Sequence, residues 1–297
     1  MKSNQLVSII MTCHNGEKFL NEAIESIINQ SYSNWELIFY DNLSSDKSAE
    51  IIKNFKDDRI KYFRSEKLLN LGTIRKLSFD QCNGFFITFL DTDDYWAEFK
   101  LEKQVKKFQE NNKIDVVYSN YFISINQKIE KKIKRLVNGY CQSKIIESYI
   151  NGSPLTAWLT LMIKKNSIEK LEYSFDNKTH ISSDFDLIIR LSNFSNFDYL
   201  DDYLAYYRVH EDNESKNTQK EISELIYILN KFCKNKYLEK IFCYKNYLYK
   251  LYIKYFIQKK FENNLSESFY LTNNIKVKII YLIIKILPKS ILKFITK

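Results

Sequence analysis

Short apolar runs and amphipathic stretches alternate along the first 110 residues of the chain. Four runs have the length and the β-branched or aromatic content of buried strands: Leu6–Met11, Trp35–Tyr40, Ile60–Phe63 and Phe85–Leu90. The stretches between them repeat apolar residues every three or four positions, which is typical of helices that bury one face. Strands that alternate with helices predict a parallel, doubly wound α/β sheet.

The predicted helices have identifiable inner faces and start signals. The first carries its apolar stripe at Leu20, Ala23, Ile24, Ile27 and Ile28. The second follows Ser44 and Ser45, either of which is a suitable N-cap, and turns Ile51, Ile52 and Phe55 inward. The third begins after Asn70-Leu71-Gly72 and carries Arg75.

Three carboxylates follow the fourth predicted strand directly, at Asp91, Asp93 and Asp94. Open α/β sheets bind ligands at this edge, beyond the carboxyl ends of the strands. In an extended segment Asp91 and Asp93 point the same way, and two such carboxylates suit Mg²⁺ or Mn²⁺ together with phosphates. The alternative is a solvated acidic turn in which Asp94 caps the next helix. Trp96 similarly fits either the floor of a ligand pocket or the core.

Seven segments over about residues 5–215 carry more specific information through their order. They read V-S-I-I-M-T-C-H-N-G (7–16), F-Y-D-N-L-S-S-D (39–46), N-L-G-T-I-R-K (70–76), F-L-D-T-D-D-Y-W (89–96), L-M-I-K-K (161–165), S-D-F-D-L-I-I-R-L (183–191) and Y-R-V-H-E-D-N-E-S (207–215). This series resembles the family 2 glycosyltransferases. Two places depart from that pattern: Asn42 and Leu43 replace an Asp and a Gly, and Ser183 replaces a Glu.

The resemblance implies a GT-A fold, a Rossmann-like, doubly wound mixed sheet over residues 1–215. Residues 1–110 would form the nucleotide-binding half and residues 111–215 the acceptor-binding half. It also implies an inverting enzyme that transfers a sugar from a nucleotide-diphosphate donor, a UDP-sugar by preference, with Mn²⁺ or Mg²⁺ as cofactor. The expected acceptor is a glycan or a lipid-linked glycan, in the synthesis of surface polysaccharide or lipopolysaccharide.

The same resemblance assigns roles to individual residues. The donor nucleotide would contact Thr12, Asn15, Asp41, Arg75 and Asp91. In this assignment Asp41 accepts the N3–H of uracil and the guanidinium of Arg75 faces the diphosphate, since it matches phosphate oxygens. The metal would bind Asp93, with His210 as a second ligand, and Asp184 would be the base that deprotonates the acceptor. Each has a plainer alternative, as a helix cap (Asp41, Asp184), a turn residue (Asn15), an exposed arginine or an ordinary histidine.

The remainder of the chain differs in charge. Residues 216–297 hold 17 Lys and 5 Glu, a net charge of +12, whereas the whole chain carries +9, so residues 1–215 carry −3. In Ile275–Lys297, short apolar runs are interrupted by lysines and by Pro288. This pattern predicts a basic helical extension that lies on an anionic membrane surface. For residues 218–260, a helical cap on the catalytic domain is the alternative.

Composition narrows the remaining classes. Five scattered Cys without a C-x-x-C pair indicate reduced thiols, the segment before the first strand is too short for a signal peptide, and no window spans a membrane. We therefore expect a cytoplasmic protein, peripheral at the inner face of the cell membrane. Two alternatives stay open. A sugar-nucleotide nucleotidyltransferase would want a glycine-rich loop, and Thr12–Glu17 has one Gly; a basic nucleic-acid-binding protein conflicts with the acidic first 215 residues.

Overall fold

The computed structural model describes residues 4–125, 128–134, 148, 156–214, 217–234, 244–265 and 275–295. Internal contacts divide the chain into two compact units, Met1–Asn213 and Glu214–Lys297. The first unit is an α/β fold and the second is helical. Cys13 and Cys82 are free and buried, while Cys141, Cys233 and Cys243 lie outside the description of side chains.

The first unit contains nine strands and six α-helices within the described residues. The strands are β1 (Val7–Cys13), β2 (Trp35–Asp41), β3 (Ile60–Arg64), β4 (Phe86–Phe89), β5 (Tyr95–Trp96), β6 (Val116–Ile125), β7 (Lys128–Ile133), β8 (Met162–Lys164) and β9 (Phe197–Val209). The helices are α1 (Leu20–Ile28), α2 (Ser48–Asn54), α3 (Leu71–Asp80), α4 (Lys100–Glu110), α5 (Lys165–Glu169) and α6 (Ser183–Leu191).

The strands form one mixed sheet in the order β3-β2-β1-β4-β8-β6-β9-β5, with β7 paired to the edge of β6. The first four strands are parallel, and β1 lies between β2 and β4. Beyond β4 the sheet changes direction, since β8 is antiparallel to both β4 and β6. The predicted α/β class with a mixed sheet is confirmed, and the four strands expected from the sequence are its parallel half.

Two local predictions are wrong. After β4 the chain makes a turn in which the N–H of Asp94 donates to the carbonyl of Asp91 (3.2 Å), so Asp91 and Asp93 do not belong to an extended segment. Neither Ser44 nor Ser45 caps α2. That helix begins at Ser48, whose N–H donates to the Asp46 carboxylate (3.0 Å). Asp46 lies two residues before Ser48, so its short side chain can reach forward to this N–H.

The core lies between the sheet and its helices. Trp96 belongs to the core. Its side chain is buried and its Nε1–H donates to the carbonyl of Leu159 (2.9 Å), so of the two predicted roles the core role is the one observed. Lys100 is buried beneath the same ring, where its Nζ contacts Thr88 (3.0 Å) and Gln104 (2.8 Å), and burial lowers its pKa well below the usual value.

The second unit consists of α7 (Thr218–Lys234), α8 (Tyr244–Phe261), α9 (Ile275–Ile286) and α10 (Lys289–Ile295). Pro288 separates the last two helices, as the sequence predicts. Helix α9 packs on α8 through Val277, Tyr281 and Ile284, and the Tyr281 ring meets Phe256 edge-on at 5.6 Å. Over the described ranges, every helix is too short or too polar to cross a bilayer.

Candidate active site

The loops after β1 and β2 are fastened to each other at the carboxyl edge of the sheet. Asn15 has a left-handed backbone (φ 56°), its N–H donates to Ser44 Oγ (3.0 Å), and its side-chain oxygen accepts from the N–H of Ser45 (2.8 Å). The N–H of Gly16 donates to Ser48 Oγ (2.9 Å). Asn15 is therefore a loop-joining residue in this structure. Thr12 is not in the loop, because β1 extends through Cys13 and pairs Thr12 with Tyr40.

Asp41 ends β2 at the predicted edge, but its carboxylate is fully buried. Oδ1 accepts from the N–H of Ser44 (2.7 Å), and Oδ2 accepts from the Tyr62 hydroxyl (2.9 Å) and lies 3.3 Å from Arg64 Nη1. Both partners on Oδ2 come from β3, which pairs with β2 in parallel register. A uracil N3–H would have to replace one of them to reach this carboxylate.

Arg75 is buried, which excludes the exposed arginine considered from the sequence. Its guanidinium lies over the Trp158 ring (4.3 Å), contacts Ser183 Oγ through Nη1, and lies 3.4 Å from Asp91 Oδ1 through Nη2. The side chain thus links α3, the turn at Asp91–Asp94 (the acidic turn) and the start of α6. Ser183 stands where the resemblance has a Glu, so Arg75 keeps a neutral partner on that side.

Asp91 is held in a poorly solvated position although 39% of its side chain remains exposed. Burial raises the pKa of Asp91 to about 6; Arg75 opposes the rise, and the negative charges of Asp93 and Asp184 add to it. The pKa of Asp94 is also raised, first by burial and then by its acidic neighbours. Crowded carboxylates of this kind favour a bound cation, because its charge offsets both desolvation and repulsion.

Asp93 and His210 are in direct contact in the site. Asp93 Oδ2 lies 2.8 Å from His210 Nε2, which carries the hydrogen in this arrangement because a carboxylate only accepts. Neighbouring ligands of an octahedral ion at about 2.1 Å lie about 3 Å apart, so these two atoms fit one Mg²⁺ or Mn²⁺ after Nε2 loses its hydrogen. His210 Nδ1 is buried and has no hydrogen-bond partner from the described residues.

The described residues contain no cluster of three or more side chains that would enclose a metal ion. An oxygen and an imidazole nitrogen supply part of a coordination shell. Magnesium commonly takes one or two protein carboxylates and completes its shell with substrate phosphates and water. The donor set therefore fits a cation that arrives with a diphosphate.

Asp184 lies in the first turn of α6, where Asp184 Oδ1 accepts from the N–H of Phe185 (2.7 Å). It is close enough to Asp91 to raise that residue's pKa, so the fold brings the predicted base to the acidic turn. Asp186 is different, since it is buried in an ion pair with Arg190 (2.6 Å). The segment before α6 is docked on α3, where the N–H of Gly72 donates to the Thr179 carbonyl (3.0 Å).

Two residues hold the acidic turn from behind. Arg208 is buried; its N–H donates to Asp94 Oδ1 (2.8 Å), its Nε to the Asp93 carbonyl (2.8 Å), and its Nη2 pairs with Glu22 (2.5 Å). The guanidinium is thus engaged by protein groups instead of standing ready for phosphate. Asn213 contacts Asp93 and the His210 backbone. From the sequence Arg208 was a candidate phosphate contact, whereas Asn213 had no predicted role, and only its position shortly after the Y-R-V-H segment pointed to the site.

A parallel half-sheet with carboxylates, an arginine and a histidine at its carboxyl edge defines the class, an α/β fold of the type that binds ligands at that edge. The model of Glycosyl transferase family 2 matches residues 8–171, more than half of the chain. The chain belongs to this family and is a glycosyltransferase. This membership favours the transferase over both alternatives considered from the sequence.

Curated relatives agree with this membership. The chain is 35% identical over 258 residues to the uncharacterized glycosyltransferase MJ1057 of Methanocaldococcus jannaschii, covering 82% of this chain and 87% of that protein. It is 29% identical over 232 residues to the Escherichia coli UDP-Glc:alpha-D-GlcNAc-diphosphoundecaprenol beta-1,3-glucosyltransferase WfgD, covering 77% and 87%. Relatives of this kind act in polysaccharide and lipid-linked glycan synthesis.

The fold matches solved glycosyltransferases of low sequence identity. S. aureus TarS 1-349 in complex with UDP-GlcNAc aligns with a TM-score of 0.63 at 15% identity, over 94% of this chain and 79% of that one. The mannosyltransferase PcManGT from Pyrobaculum calidifontis, in complex with GDP-Man and Mn²⁺, aligns with a TM-score of 0.61 at 12% identity, over 96% and 86%. The GT-A fold expected from the sequence is confirmed.

Proposed function

We propose that the chain transfers a sugar from a UDP-sugar to a lipid-linked glycan acceptor, with inversion and with Mn²⁺ or Mg²⁺, in surface polysaccharide synthesis. One observation carries the proposal: Arg75, Asp91, Asp93, Asp184 and His210 converge from distant segments on one edge of the sheet. In this proposal the unit that ends at Asn213 is catalytic, and the helical unit that follows is accessory.

The donor binds along the edge of the parallel strands. In this proposal Arg75 faces the diphosphate and Asp91 the ribose side. Thr12, Asn15 and Asp41 lie around the base, where the uracil N3–H would replace a partner of Asp41 Oδ2, and the joined loops after β1 and β2 form a preformed wall. The preference for uracil has its support in the Escherichia coli relative, which uses UDP-Glc. The neighbouring folds hold either UDP-GlcNAc or GDP-Man, so the fold by itself does not choose the base.

Asp93 and His210 hold the divalent cation in this proposal. When bound, the cation supplies Lewis-acid stabilisation of the departing nucleoside diphosphate. The protein's own residues orient the substrates and move a proton. Asp184 accepts the acceptor's hydroxyl proton at its carboxylate as the oxygen attacks C1, opposite the departing diphosphate. Its place at the start of α6, in the part of the chain assigned to the acceptor, keeps it apart from the donor contacts of β1 and β2.

A donor screen tests this function. Purified protein is incubated with UDP-, GDP- and dTDP-sugars, with Mn²⁺ or after EDTA treatment, and with a diphosphoundecaprenol-linked sugar or a short-chain analogue as acceptor. The expected result is acceptor-dependent release of UDP that requires the metal. Undiminished transfer by enzyme shown to be metal-free would contradict the metal assignment, and equal use of a GDP-sugar would contradict the uracil preference.

The proposal includes attachment to an anionic membrane surface through α9. Its outer face exposes Ile275, Ile279, Leu282, Ile283 and Ile286, which at 100° per residue cover an arc of about 100°. Lys276 flanks this arc on one side, and Lys278 and Lys285 flank it on the other. The opposite face is buried against α8.

This arrangement suits a lipid surface better than a protein partner of unspecified charge. An apolar stripe bordered by lysines inserts among acyl chains while the ammonium groups reach the anionic headgroups. The sequence has no Asp or Glu from Ile275 to Lys297, so nothing acidic opposes that contact. The last residues of that predicted segment, 296–297, and the side chains from Lys293 onward lie outside the description.

Vesicle flotation tests the attachment. Ile279→Glu combined with Ile283→Glu places two charges in the apolar stripe and should abolish flotation with anionic vesicles. Ile129→Glu is the matched control, since Ile129 is equally exposed (53%) but lies on β7. The control should float like the unmodified protein. Flotation of the double variant to the same extent as the unmodified protein would contradict the role of α9.

A further inference from the structure

A buried asparagine lies between the two proposed metal ligands. Asn213 Nδ2 donates to Asp93 Oδ2 (3.1 Å) and to the carbonyl of Arg208 (3.1 Å), while its Oδ1 accepts from the N–H of His210 (2.6 Å). Two acceptors on one side and a backbone donor on the other fix which atom of the amide is nitrogen. The amide therefore has one orientation.

These bonds act on both ligands at once. The bond from the His210 N–H, together with the bond from Asn213 N–H to the His210 carbonyl (3.4 Å), closes the turn that carries the imidazole. The bond to Asp93 restrains rotation of the carboxylate, and it reaches the same Oδ2 that lies 2.8 Å from His210 Nε2. The chain separation between Asn213 and Asp93 is 120 residues, so local sequence does not create this contact.

We propose that Asn213 is a positioning residue for the divalent cation, holding Asp93 and His210 at the separation that a single ion requires. This rests on the proposed function, because it presupposes a cation at Asp93. An amide suits the task because it donates to a carboxylate without adding positive charge. A lysine or arginine in its place would compete with the cation for Asp93.

The test measures Mn²⁺ affinity directly, from the electron paramagnetic resonance signal of free Mn²⁺ at saturating UDP, in unmodified protein, Asn213→Leu, His210→Ala and the double variant. Leucine has a similar volume but makes none of the three bonds. We expect Asn213→Leu to weaken Mn²⁺ binding by about 10- to 100-fold. The loss in the double variant should be smaller than the sum of the two single losses, because the asparagine acts in part through the histidine.

Asn120→Leu is the matched control. Asn120 is also buried and donates to a carboxylate, that of Asp201 (2.9 Å), but it lies on β6. It should lose thermal stability and keep its Mn²⁺ affinity. If Asn213→Leu does not fold, Asn213→Ser, which is too short to reach both partners, carries the same expectation.

Two results separate the positioning role from the function on which it depends. Unchanged Mn²⁺ affinity in the Asn213 variant, or losses that simply add in the double variant, would overturn the positioning role. Unchanged Mn²⁺ affinity in Asp93→Ala would instead overturn the cation site itself, and with it the metal part of the proposed function.

Discussion

Asp93 Oδ2 and His210 Nε2 lie 2.8 Å apart although 117 residues separate them in the chain. Asp93 follows β4 in the parallel half of the sheet. His210 follows β9, which is parallel to β6 and therefore runs in the same direction as β4. The contact therefore joins the two halves of the fold at the edge where both strands end. It is the strongest single sign of how this glycosyltransferase is organised.

Removal of the Asp93 carboxylate should abolish transfer without unfolding the protein. Asp93→Ala deletes a ligand oxygen, and it also leaves the His210 imidazole and the Asn213 amide without their shared partner. We expect transfer to be lost and far-ultraviolet circular dichroism to be unchanged. Asp80→Ala, on the exposed end of α3, is the control and should transfer normally. Substantial metal-dependent transfer by Asp93→Ala would mean that the cation binds elsewhere.

Gly72 should be intolerant of a side chain. A Cβ at this position would meet the backbone carbonyls of Asp176 and Thr179, the latter at 2.7 Å, and backbone atoms cannot move aside cheaply. The displaced segment leads into α6 and Asp184. We expect Gly72→Ala to lower turnover by about 10²-fold, since small misplacements of catalytic groups are costly. Turnover is compared with that of Lys76→Ala, on the exposed face of α3; equal rates would contradict the docking role.

Much of this arrangement was predictable from the sequence. The four apolar runs predicted four parallel strands, and parallel strands bring their carboxyl ends to one edge, so Asp41 and the acidic motif had to lie at the same edge. The order of the motifs predicted that Asp184 would join them. The strand inferences rest on local periodicity, which sequence carries well, and the Asp184 inference rests on the resemblance to family 2 glycosyltransferases.

Other contacts depend on tertiary register, which local patterns do not carry. The Tyr62 and Arg64 contacts with Asp41 follow from the pairing of β2 with β3. Asn213 joins Asp93 only because β9 returns to the acidic turn. The turn at Asp91–Asp94 differs from the extended segment that the sequence predicts, because an apolar run does not reveal where its strand ends.

Replacement of Leu43, which has a strained backbone conformation, should stabilise the protein. Leu43 adopts φ 61°, a left-handed conformation that glycine tolerates and that costs other residues about 1–2 kcal/mol. Leu43→Gly should raise the free energy of unfolding by about 0.5–1 kcal/mol after the entropy of glycine in the unfolded chain is subtracted. The control is Leu68→Gly, an exposed position without positive φ, which should lose stability. Chemical denaturation compares the two, and destabilisation by Leu43→Gly would contradict the strain.

Acid should remove a specific contribution to stability at Glu36. Burial by itself would raise its pKa, but hydrogen bonds from Lys61, Ser8 and Asn83 outweigh burial and lower the pKa below its ordinary value. A carboxylate with a lowered pKa stabilises the fold above its ordinary pKa, and that stabilisation is lost as the pH falls through the folded-state value.

The measurement is denaturant unfolding of Glu36→Gln and of the unmodified protein. At neutral pH the variant should be less stable by about 1–3 kcal/mol, and the difference should narrow below about pH 4. Glu50→Gln, at an exposed position of α2, should show no such pH dependence of the difference. A stability difference that stays constant down to acid pH would contradict the assignment.

The most direct test of the central claim is the turnover of Asp184→Asn. The substitution keeps the size of the side chain and removes its basicity, so transfer should slow by about 10²–10⁴-fold while UDP affinity, measured by calorimetry with Mn²⁺, stays unchanged. Asp186→Asn is the comparison. It breaks the buried ion pair with Arg190, so its main effect should be a loss of stability of the protein. Slow transfer with intact UDP binding in Asp184→Asn is the result that the proposed mechanism predicts. Near-normal turnover in that variant, with a folded protein, would contradict it.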